Sequence, residues 1–386
     1  MTEVVIVDAI RSPIGRAFKG SLKDVRPDDL GGMLVKAIME RNPGVPPESI
    51  EDLLCGVSGA AGPQGYNLGR IVGQLGGLPN TVPGTSVNRF CASSLQAVKM
   101  AHNAIMADEG DTILVLGVES VSRRGTAFTA DDFNPRFVDE SRPDFVNHMY
   151  IDNVDTAENV SKKYGVSRED QDALAYQSQM RASKASEDGT FAREIVGIQT
   201  EAGLVTKDDG PRPQTTMEKL AELKPLKGEG GTVTAGNACP MNDGASAALI
   251  MSADRAKTLG LKPRARILGS YVSGLEPELM GVGPISSTEA LFKRKGVSIG
   301  DVDVVELNEA FAAQVVAVCR ELGIDMETQL NPFGGAIALG HPFGMTGVRM
   351  VTTLLNGLET RDGTLGLVTQ CIGGGQGMSM LIERVA

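Results

Sequence analysis

Residues 331–344 read Asn-Pro-Phe-Gly-Gly-Ala-Ile-Ala-Leu-Gly-His-Pro-Phe-Gly. His341 stands between a glycine and a proline, which excludes the middle of a helix and predicts a turn with a restricted backbone. The surrounding glycines allow a ligand to approach the chain closely. A turn histidine taken alone is more often solvated than catalytic, so its interpretation depends on partners elsewhere in the chain.

Two cysteine segments are the candidate partners. Residues 87–94 read Val-Asn-Arg-Phe-Cys-Ala-Ser-Ser and precede an apolar pattern with helical spacing. A thiol at a helix N-terminus is favoured as the nucleophilic thiolate, although a buried structural cysteine is the alternative for Cys91. Cys371 ends a predicted strand before Gly373-Gly374-Gly375. Because both segments deliver a cysteine from a strand to a turn, two similar halves would bring the thiols to one seam.

Two further segments have simple structural interpretations. Asn308 lies where a predicted strand gives way to a helix, so it could cap that helix instead of serving a site. The glycine-rich residues 373–377 lack a Walker lysine, and a turn before a return strand at Met378–Ile382 is the alternative to a phosphate loop.

Short apolar runs alternate with amphipathic stretches along most of the chain, which predicts βα units around a buried sheet. Segment 120–230 differs, being charged, loop-like and then helical over Arg168–Glu187, and we expect it to be an excursion from an α/β core. The other predicted strands are Val4–Val7, Thr112–Leu116, Ala247–Met251, Val302–Leu307 and Leu365–Thr369, with helices at Leu95–Met106, Glu309–Leu322 and Val348–Leu358.

Composition limits the function classes. The 386 residues carry a formal charge of −11, so the chain has little electrostatic reason to bind nucleic acid or an anionic membrane. An anionic small substrate would need a local basic patch. No apolar run approaches the roughly 18 residues of a membrane span and no signal peptide is evident, so a cytoplasmic protein is expected. Five scattered cysteines and three histidines favour neither a disulfide framework nor a metal site.

Taken together and in this order, the motifs closely resemble those of the thiolase family (acetyl-CoA acyltransferases), along essentially the whole chain. The Gly-His-Pro and Cys-x-Gly pair with an upstream cysteine is highly specific. The matching segments are residues 7–15, 87–94, 117–120, 156–159, 234–237, 242–245, 308–311, 335–342 and 371–373.

The resemblance implies an α/β thiolase fold with five αβαβα layers, built from two similar halves. It implies an N-terminal half at 1–119, completed by about 231–267, a loop domain at 120–230 that covers CoA, and a C-terminal half at 268–386. No permanently bound cofactor is implied, because CoA and acyl-CoA are substrates.

The resemblance also implies the roles of the site residues. Cys91 would be the nucleophile, His341 would take its proton, and Cys371 would move protons to and from carbon and CoA. One oxyanion hole would use His341 with a water held by Asn308, and the other the backbone N–H groups of Cys91 and Gly373. Substrate contacts are expected at Arg212, Asn237, Ala238, Cys239 and Phe311.

Departures from the family pattern put substrate preference in doubt. Cys239 stands where a serine is common near the pantetheine, and Phe333, Met345 and Asn153-Val154 are also unusual. Aromatic residues in 128–150 could form a lid over the acyl group, with oligomer contact or local packing as the alternative. Four arginines in or just before this segment could meet CoA phosphates or form a solvated face. The residues concerned are Phe128, Phe133, Phe137, Phe145 and Tyr150, with Arg123, Arg124, Arg136 and Arg142.

A degradative 3-ketoacyl-CoA thiolase of fatty-acid or related β-oxidation is the leading interpretation. The alternatives are a biosynthetic acetyl-CoA acetyltransferase and a degenerate homologue that only binds acyl-CoA. A decarboxylating condensing enzyme of the same superfold is disfavoured, because those enzymes typically lack a second catalytic cysteine equivalent to Cys371. The resemblance further implies a homodimer or homotetramer, and some members dock on a hydratase–dehydrogenase subunit.

Overall fold

The computed structural model describes residues 2–126 and 128–385. Strands and helices alternate along most of this length. The strands are β1 (Val4–Arg11), β2 (Gly15–Arg16), β3 (Asp52–Gly56), β4 (Thr85–Val87), β5 (Thr112–Ser120), β6 (Ile198–Thr200), β7 (Gly203–Val205), β8 (Asn242–Ser252), β9 (Ala265–Gly274), β10 (Val304–Leu307), β11 (Leu365–Ile372) and β12 (Gln376–Arg384).

The helices differ widely in length, and the longest ones carry the layers of the fold. They are α1 (Pro27–Arg41), α2 (Leu68–Leu75), α3 (Ser93–Met106), α4 (Asn153–Tyr164), α5 (Arg168–Glu187), α6 (Met217–Ala221), α7 (Ala253–Thr258), α8 (Gly283–Lys295), α9 (Ala312–Leu322), α10 (Ala336–Leu339) and α11 (Thr346–Arg361).

One mixed sheet contains all the described strands except the β6–β7 hairpin. Its order is β10-β11-β12-β9-β1-β8-β5-β3-β4, and β2 pairs with β8 beside this path. The β3–β4, β3–β5 and β10–β11 pairs are parallel, whereas β9–β12 and β5–β8 are antiparallel. The short β1–β9 pairing, at Val5 and Ile6 only, joins an N-terminal half of the sheet to a C-terminal half.

Five layers follow from the packing of the helices on these halves. Helices α3 and α11 lie between them, because Leu95 and Leu354 belong to one buried cluster with Ile250 of the N-terminal half and Val368 of the C-terminal half. Helices α1 and α2 cover the other face of the N-terminal half, and α8 and α9 cover that of the C-terminal half. The predicted αβαβα architecture is therefore confirmed.

The apolar patterns located the elements well and their ends less well. Each predicted strand and helix is present, and α5 spans the predicted residues. Helix α9 begins three residues after the predicted Glu309, because Phe311 is extended, forms a bridge with Ala238, and precedes Ala312, whose N–H donates to the carbonyl of Asn237 at 2.8 Å. Asn308 is consequently not a helix cap.

Segment 120–230 contains α4, α5, α6 and the β6–β7 hairpin. Its assignment as a separate loop domain, together with the boundaries at 119, 230 and 268, stays a prediction. Among the described helices, none combines the length and the apolar character needed to cross a bilayer.

Candidate active site

A strained turn presents Cys91 at the start of α3. Phe90, directly before it, has a φ of 44°, a left-handed conformation that is costly for a bulky residue and that clusters at functional sites. The Ser93 hydroxyl holds the turn by accepting from the N–H of Arg89 at 3.0 Å and donating to the carbonyl of Phe90 at 2.6 Å. Cys91 is therefore fixed beside the first turn of a buried helix.

His341 lies in the connection between α10 and α11, as the Gly-His-Pro sequence predicts. Gly340 has a φ of 113°, and a Cβ at that position would lie 2.5 Å from the amide of Asn242. The same amide accepts from the N–H of His341 at 3.1 Å. Glycine is therefore required at residue 340, because the backbone passes directly against the side chain that anchors the histidine.

The imidazole of His341 is 1 % exposed and has a partner on each nitrogen. Asn308 Nδ2 lies 3.2 Å from Nε2, and Thr346 Oγ1 lies 2.6 Å from Nδ1. Burial, with the positive charge of Arg349, lowers the pKa of His341 to about 3. The ring is therefore neutral at rest and can accept a proton.

Cys371 and Gly373 bring the C-terminal half to the same place. The backbone N–H groups of Gly373 and of Cys91 itself act on the Cys91 thiol and lower its pKa. Cys91 and Cys239 both act electrostatically on Cys371, whose Sγ also lies 3.8 Å from Gln314 Oε1. The two catalytic-candidate cysteines thus meet at one seam, and Cys239 is a third thiol beside them.

Burial outweighs the helix N-terminus in setting the state of these thiols. It raises the pKa of Cys91 to about 11, although the N–H groups of Gly373 and Cys91 oppose the shift. Burial also raises the pKa of Cys371 and of Cys239. Burial thus opposes the thiolate that the helix N-terminus favours, so a base such as His341 must remove the proton of Cys91 before the sulfur attacks.

A cleft of about 350 Å³ opens near this seam. Arg16, Arg212 and Lys219 line it, no carboxylate is among its described lining residues, and Pro240, next to Cys239, is also part of its wall. In a chain of net charge −11 this is the local basic patch that an anionic substrate requires.

The other predicted substrate residues are not among the described lining residues of this cleft. Cys239 is partly exposed, and its N–H donates to the carbonyl of Ala310 at 3.0 Å. Ala238 and Phe311 are almost fully buried. Asn237 is fully buried, donates to Asp172 at 3.0 Å and accepts from Thr234 N–H at 2.7 Å, so the structure gives it a framework role.

Several residues that support the site were assigned no role from the sequence. Glu119 accepts from the N–H groups of Ser58 and Gly344 and from the amide of Gln64, which ties the turn after His341 to the N-terminal half. Asn331 accepts from the N–H of Leu307 and donates to its carbonyl, both at 2.9 Å, and so fixes the end of β10 before Asn308. Thr346, Arg349 and Gln314 were also missed.

The aromatic residues of segment 128–150 pack mainly on one another. Phe133 and Tyr150 are stacked with ring centroids 4.3 Å apart, and Phe128 and Phe137 lie against Tyr150 at 5.9 Å. This arrangement favours local packing over a lid. Met149 differs, because a Cβ at Gly374 would lie 3.1 Å from its Sδ, which puts this side chain beside the glycine turn of the site.

Comparison with known proteins identifies the arrangement. The sequence matches the family descriptions "Thiolase, N-terminal domain" over residues 4–254 and "Thiolase, C-terminal domain" over residues 261–384. The chain belongs to the thiolase family. It is an acyltransferase, as thiolases are, and the prediction of the family is confirmed.

The relatives of this thiolase are named for different 3-ketoacyl-CoA substrates. It is 46 % identical to a β-ketoadipyl-CoA thiolase of Pseudomonas aeruginosa, covering 99 % of both chains, and 44 % identical to a 3-ketoacyl-CoA thiolase of Idiomarina loihiensis over the full length of both. Human mitochondrial 3-ketoacyl-CoA thiolase, solved in complex with CoA, has a TM-score of 0.90 at 37 % identity, with 100 % and 98 % of the two chains covered. These names support thiolase activity without singling out fatty acids.

Proposed function

We propose that this thiolase cleaves a 3-ketoacyl-CoA with free CoA, releasing acetyl-CoA and an acyl-CoA shortened by two carbons. The observation that carries the proposal is the meeting of two thiols from different halves. The buried neutral imidazole of His341 lies on the loop before α11, and α11 bonds to the first turn of α3 through Val348 N–H and Ser94 Oγ at 3.1 Å. One thiol can be acylated while the other moves protons, which a single cysteine cannot do.

In the first stage His341 takes the proton of Cys91, and the sulfur attacks the 3-keto carbon of the substrate. The bond between C2 and C3 then breaks, leaving the acyl group on Cys91 and an acetyl-CoA enolate. Cys371 donates its proton to C2 of the enolate. His341 and Asn308, 3.2 Å apart, are suited to stabilise the enolate oxygen.

In the second stage Cys371, now a thiolate, takes the proton of the incoming CoA thiol. The CoA sulfur attacks the acyl-cysteine, and the bond to Cys91 breaks. Cys91 leaves as a thiolate and recovers its proton from His341, which restores the resting enzyme. The N–H groups of Cys91 and Gly373 are suited to hold the oxyanion of this step, because both already converge on the Cys91 sulfur.

The cation-lined cleft supports CoA as the substrate carrier. Arg16, Arg212 and Lys219 provide three positive charges for phosphate groups, and Pro240 in the wall of the cleft directly follows Cys239 in the chain. The pantetheine arm would run from these charges toward Cys239. Burial and the neighbouring Arg16 lower the pKa of Arg212, so an anion that neutralises this pair would relieve their repulsion.

For the acyl group we propose an unbranched apolar chain. The side chains beside the glycine turn are Phe90, whose ring would lie 3.6 Å from a Cβ at Gly373, and Met149. A distal carboxylate would gain little from these apolar groups. The second candidate is 3-oxoadipyl-CoA, which the 46 % identity to a β-ketoadipyl-CoA thiolase favours.

Thiolysis kinetics distinguish the candidates. Purified protein is assayed with acetoacetyl-CoA, 3-ketooctanoyl-CoA and 3-oxoadipyl-CoA, with Cys91→Ala as the inactive control. The highest kcat/KM is expected for the eight-carbon substrate. Preference for 3-oxoadipyl-CoA would replace the acyl-group proposal, and preference for acetoacetyl-CoA would indicate the acetyltransferase. If none of the three is cleaved above the control, the thiolysis proposal is wrong.

A further inference from the structure

Thr346, the first residue of α11, makes two hydrogen bonds that join it to the catalytic loop. Its Oγ1 lies 2.6 Å from His341 Nδ1 and 2.9 Å from the carbonyl oxygen of Pro342. The side chain is 1 % exposed, so water does not compete for either bond. A hydroxyl has one proton, and these two contacts together determine where that proton goes.

We propose that Thr346 is a positioning residue that keeps His341 protonated at Nδ1 and thereby keeps Nε2 unprotonated, with a lone pair that can take the proton of Cys91. The proposal rests on the proposed thiolysis. The Thr346 hydroxyl donates to the Pro342 carbonyl, which can only accept, so its oxygen accepts from Nδ1–H.

The opposite side of the ring agrees with this tautomer. Asn308 Nδ2 can only donate, and its 3.2 Å contact with Nε2 requires a lone pair on that nitrogen. Two independent partners, one on each nitrogen, therefore point to the same form of the ring. That form is the one a base needs, because a proton already on Nε2 would block uptake from a thiol.

The threonine oxygen also stabilises the imidazolium form of His341. When His341 takes a proton at Nε2, Nδ1–H keeps its acceptor, and the imidazolium is stabilised by the same contact. Such an acceptor matters here because Arg349 on α11 opposes a second positive charge. Of the nearby carboxylates, Glu306 is bonded to Arg349 at 3.2 Å, Glu309 acts on Arg349, and Glu119 accepts from the turn behind the imidazole.

The matched variants are Thr346→Val, which keeps the branched shape without the hydroxyl, and Thr346→Ser, which keeps the hydroxyl. Thr352→Val is the control, since Thr352 is buried on the same helix and its hydroxyl donates only to the carbonyl of Val348 at 2.8 Å. Each protein is alkylated with iodoacetamide between about pH 6 and pH 10, and modification of the Cys91 peptide is timed by mass spectrometry. Thiolysis is measured in parallel.

For Thr346→Val we expect kcat to fall about 10- to 100-fold with KM little changed, as when a histidine loses the partner of its second nitrogen. Alkylation of Cys91 should be about 10-fold slower throughout this pH range, because the imidazolium that accompanies the thiolate is less stable. Thr346→Ser and Thr352→Val should behave as the wild type does.

Wild-type alkylation kinetics in Thr346→Val would overturn the proposal. An equal loss of alkylation rate and kcat in Thr346→Ser would also overturn it, because the loss would then depend on side-chain shape and not on the hydroxyl. If the valine variant does not fold, Thr346→Ala against Thr346→Ser gives the same comparison. Alkylation needs no CoA substrate, so it tests the threonine even if the wild type cleaves none of the 3-ketoacyl-CoAs.

Discussion

At the scale of single residues, the three clustered thiols are chemically distinct. Cys371 ends a strand beside Cys91 and contacts Gln314, whereas Cys239 lies on a partly exposed loop held through its backbone N–H. The family position of Cys239 commonly carries serine, and no proposed step uses its sulfur. The chemistry is therefore assigned to Cys91 and Cys371 alone.

Serine substitutions test this assignment. Cys371→Ser should lower kcat for thiolysis by about 100-fold or more, because a hydroxyl is too weak an acid to protonate the enolate. Cys239→Ser should keep kcat close to the wild-type value. Steady-state kinetics with one substrate compare the two, and Cys319→Ser, in the outer apolar core, is a control for loss of a buried sulfur. Equal losses at Cys239 and Cys371 would refute the assignment.

Gly340 is the second residue-scale test. Gly340→Ala combines a positive φ with a clash against Asn242, so it should destabilise the fold by about 1–3 kcal/mol and displace His341. A misplacement of this kind is expected to cost about 100-fold in kcat.

The matched control for that change is Gly228→Ala. Gly228 also has a positive φ, of 88°, but a Cβ there meets nothing within 4 Å. Urea unfolding should show a cost in both variants, and thiolysis should fail only in Gly340→Ala. Full activity in Gly340→Ala would show that the turn can shift without moving the histidine.

At the scale of elements, α11 links the histidine loop to β10. Its Arg349 is 1 % exposed and bonds to Glu306 at 3.2 Å, beneath the strand end that carries Asn308. Burial raises the pKa of Glu306, and the charge of Arg349 beside it opposes that rise. Each partner can therefore carry a buried charge only because the opposite charge of the other lies beside it.

Removing one partner should consequently cost more than removing both. Arg349→Met alone should lower the free energy of unfolding by about 3–5 kcal/mol, because Glu306 is left buried without its cation. Arg349→Met combined with Glu306→Gln should recover most of that loss. Urea unfolding of the wild type, both single variants and the double variant measures the coupling, and additive costs would contradict a paired role.

At the scale of the whole molecule, burial makes stability depend on pH. His341 is neutral in the folded protein, with a pKa of about 3, while an unfolded histidine titrates near pH 6.5. The unfolded chain therefore binds the extra proton between these values. The contribution of His341 is fully present above about pH 6.5 and is lost as the pH falls toward 3.

Unfolding in urea at a series of pH values tests this linkage. Between about pH 6 and pH 4 the free energy of unfolding should fall by up to about 1.4 kcal/mol per pH unit from this group. His341→Gln, which cannot take up the proton, should show a shallower fall over the same range. Parallel curves for the two proteins would mean that His341 is protonated in the folded state.

The five-layer arrangement also decides which parts of the chain meet. Cys91 follows β4 at one end of the sheet path, whereas Cys371 belongs to β11 near the other end. They come together because α3 and α11 are buried between the two halves. The oligomeric state and docking on a hydratase–dehydrogenase subunit depend on contacts with other chains, and both stay predictions.

Much of this protein is determined by its sequence alone. The period of the apolar residues located the strands and helices, because burial of one face is a local property of the pattern. Cys91, Asn308, His341 and Cys371 stand in motifs with restricted backbones or exposed turns, so their types and order indicated the family and its chemistry. The ends of the elements were harder to predict, and so was whether Asn308 caps a helix. Both depend on hydrogen bonds between residues distant in the sequence.

Only the tertiary structure decided the electrostatics and the supporting contacts. Thr346 and Arg349 lie outside the motifs, and Asn331 stands inside one without a role assigned from the sequence. The importance of all three comes from partners on other elements. The effect of burial on Cys91, which opposes the thiolate favoured by the helix N-terminus, was likewise beyond the sequence. A pKa depends on how much water and charge surround a group, and that surrounding is assembled from residues distant in the chain.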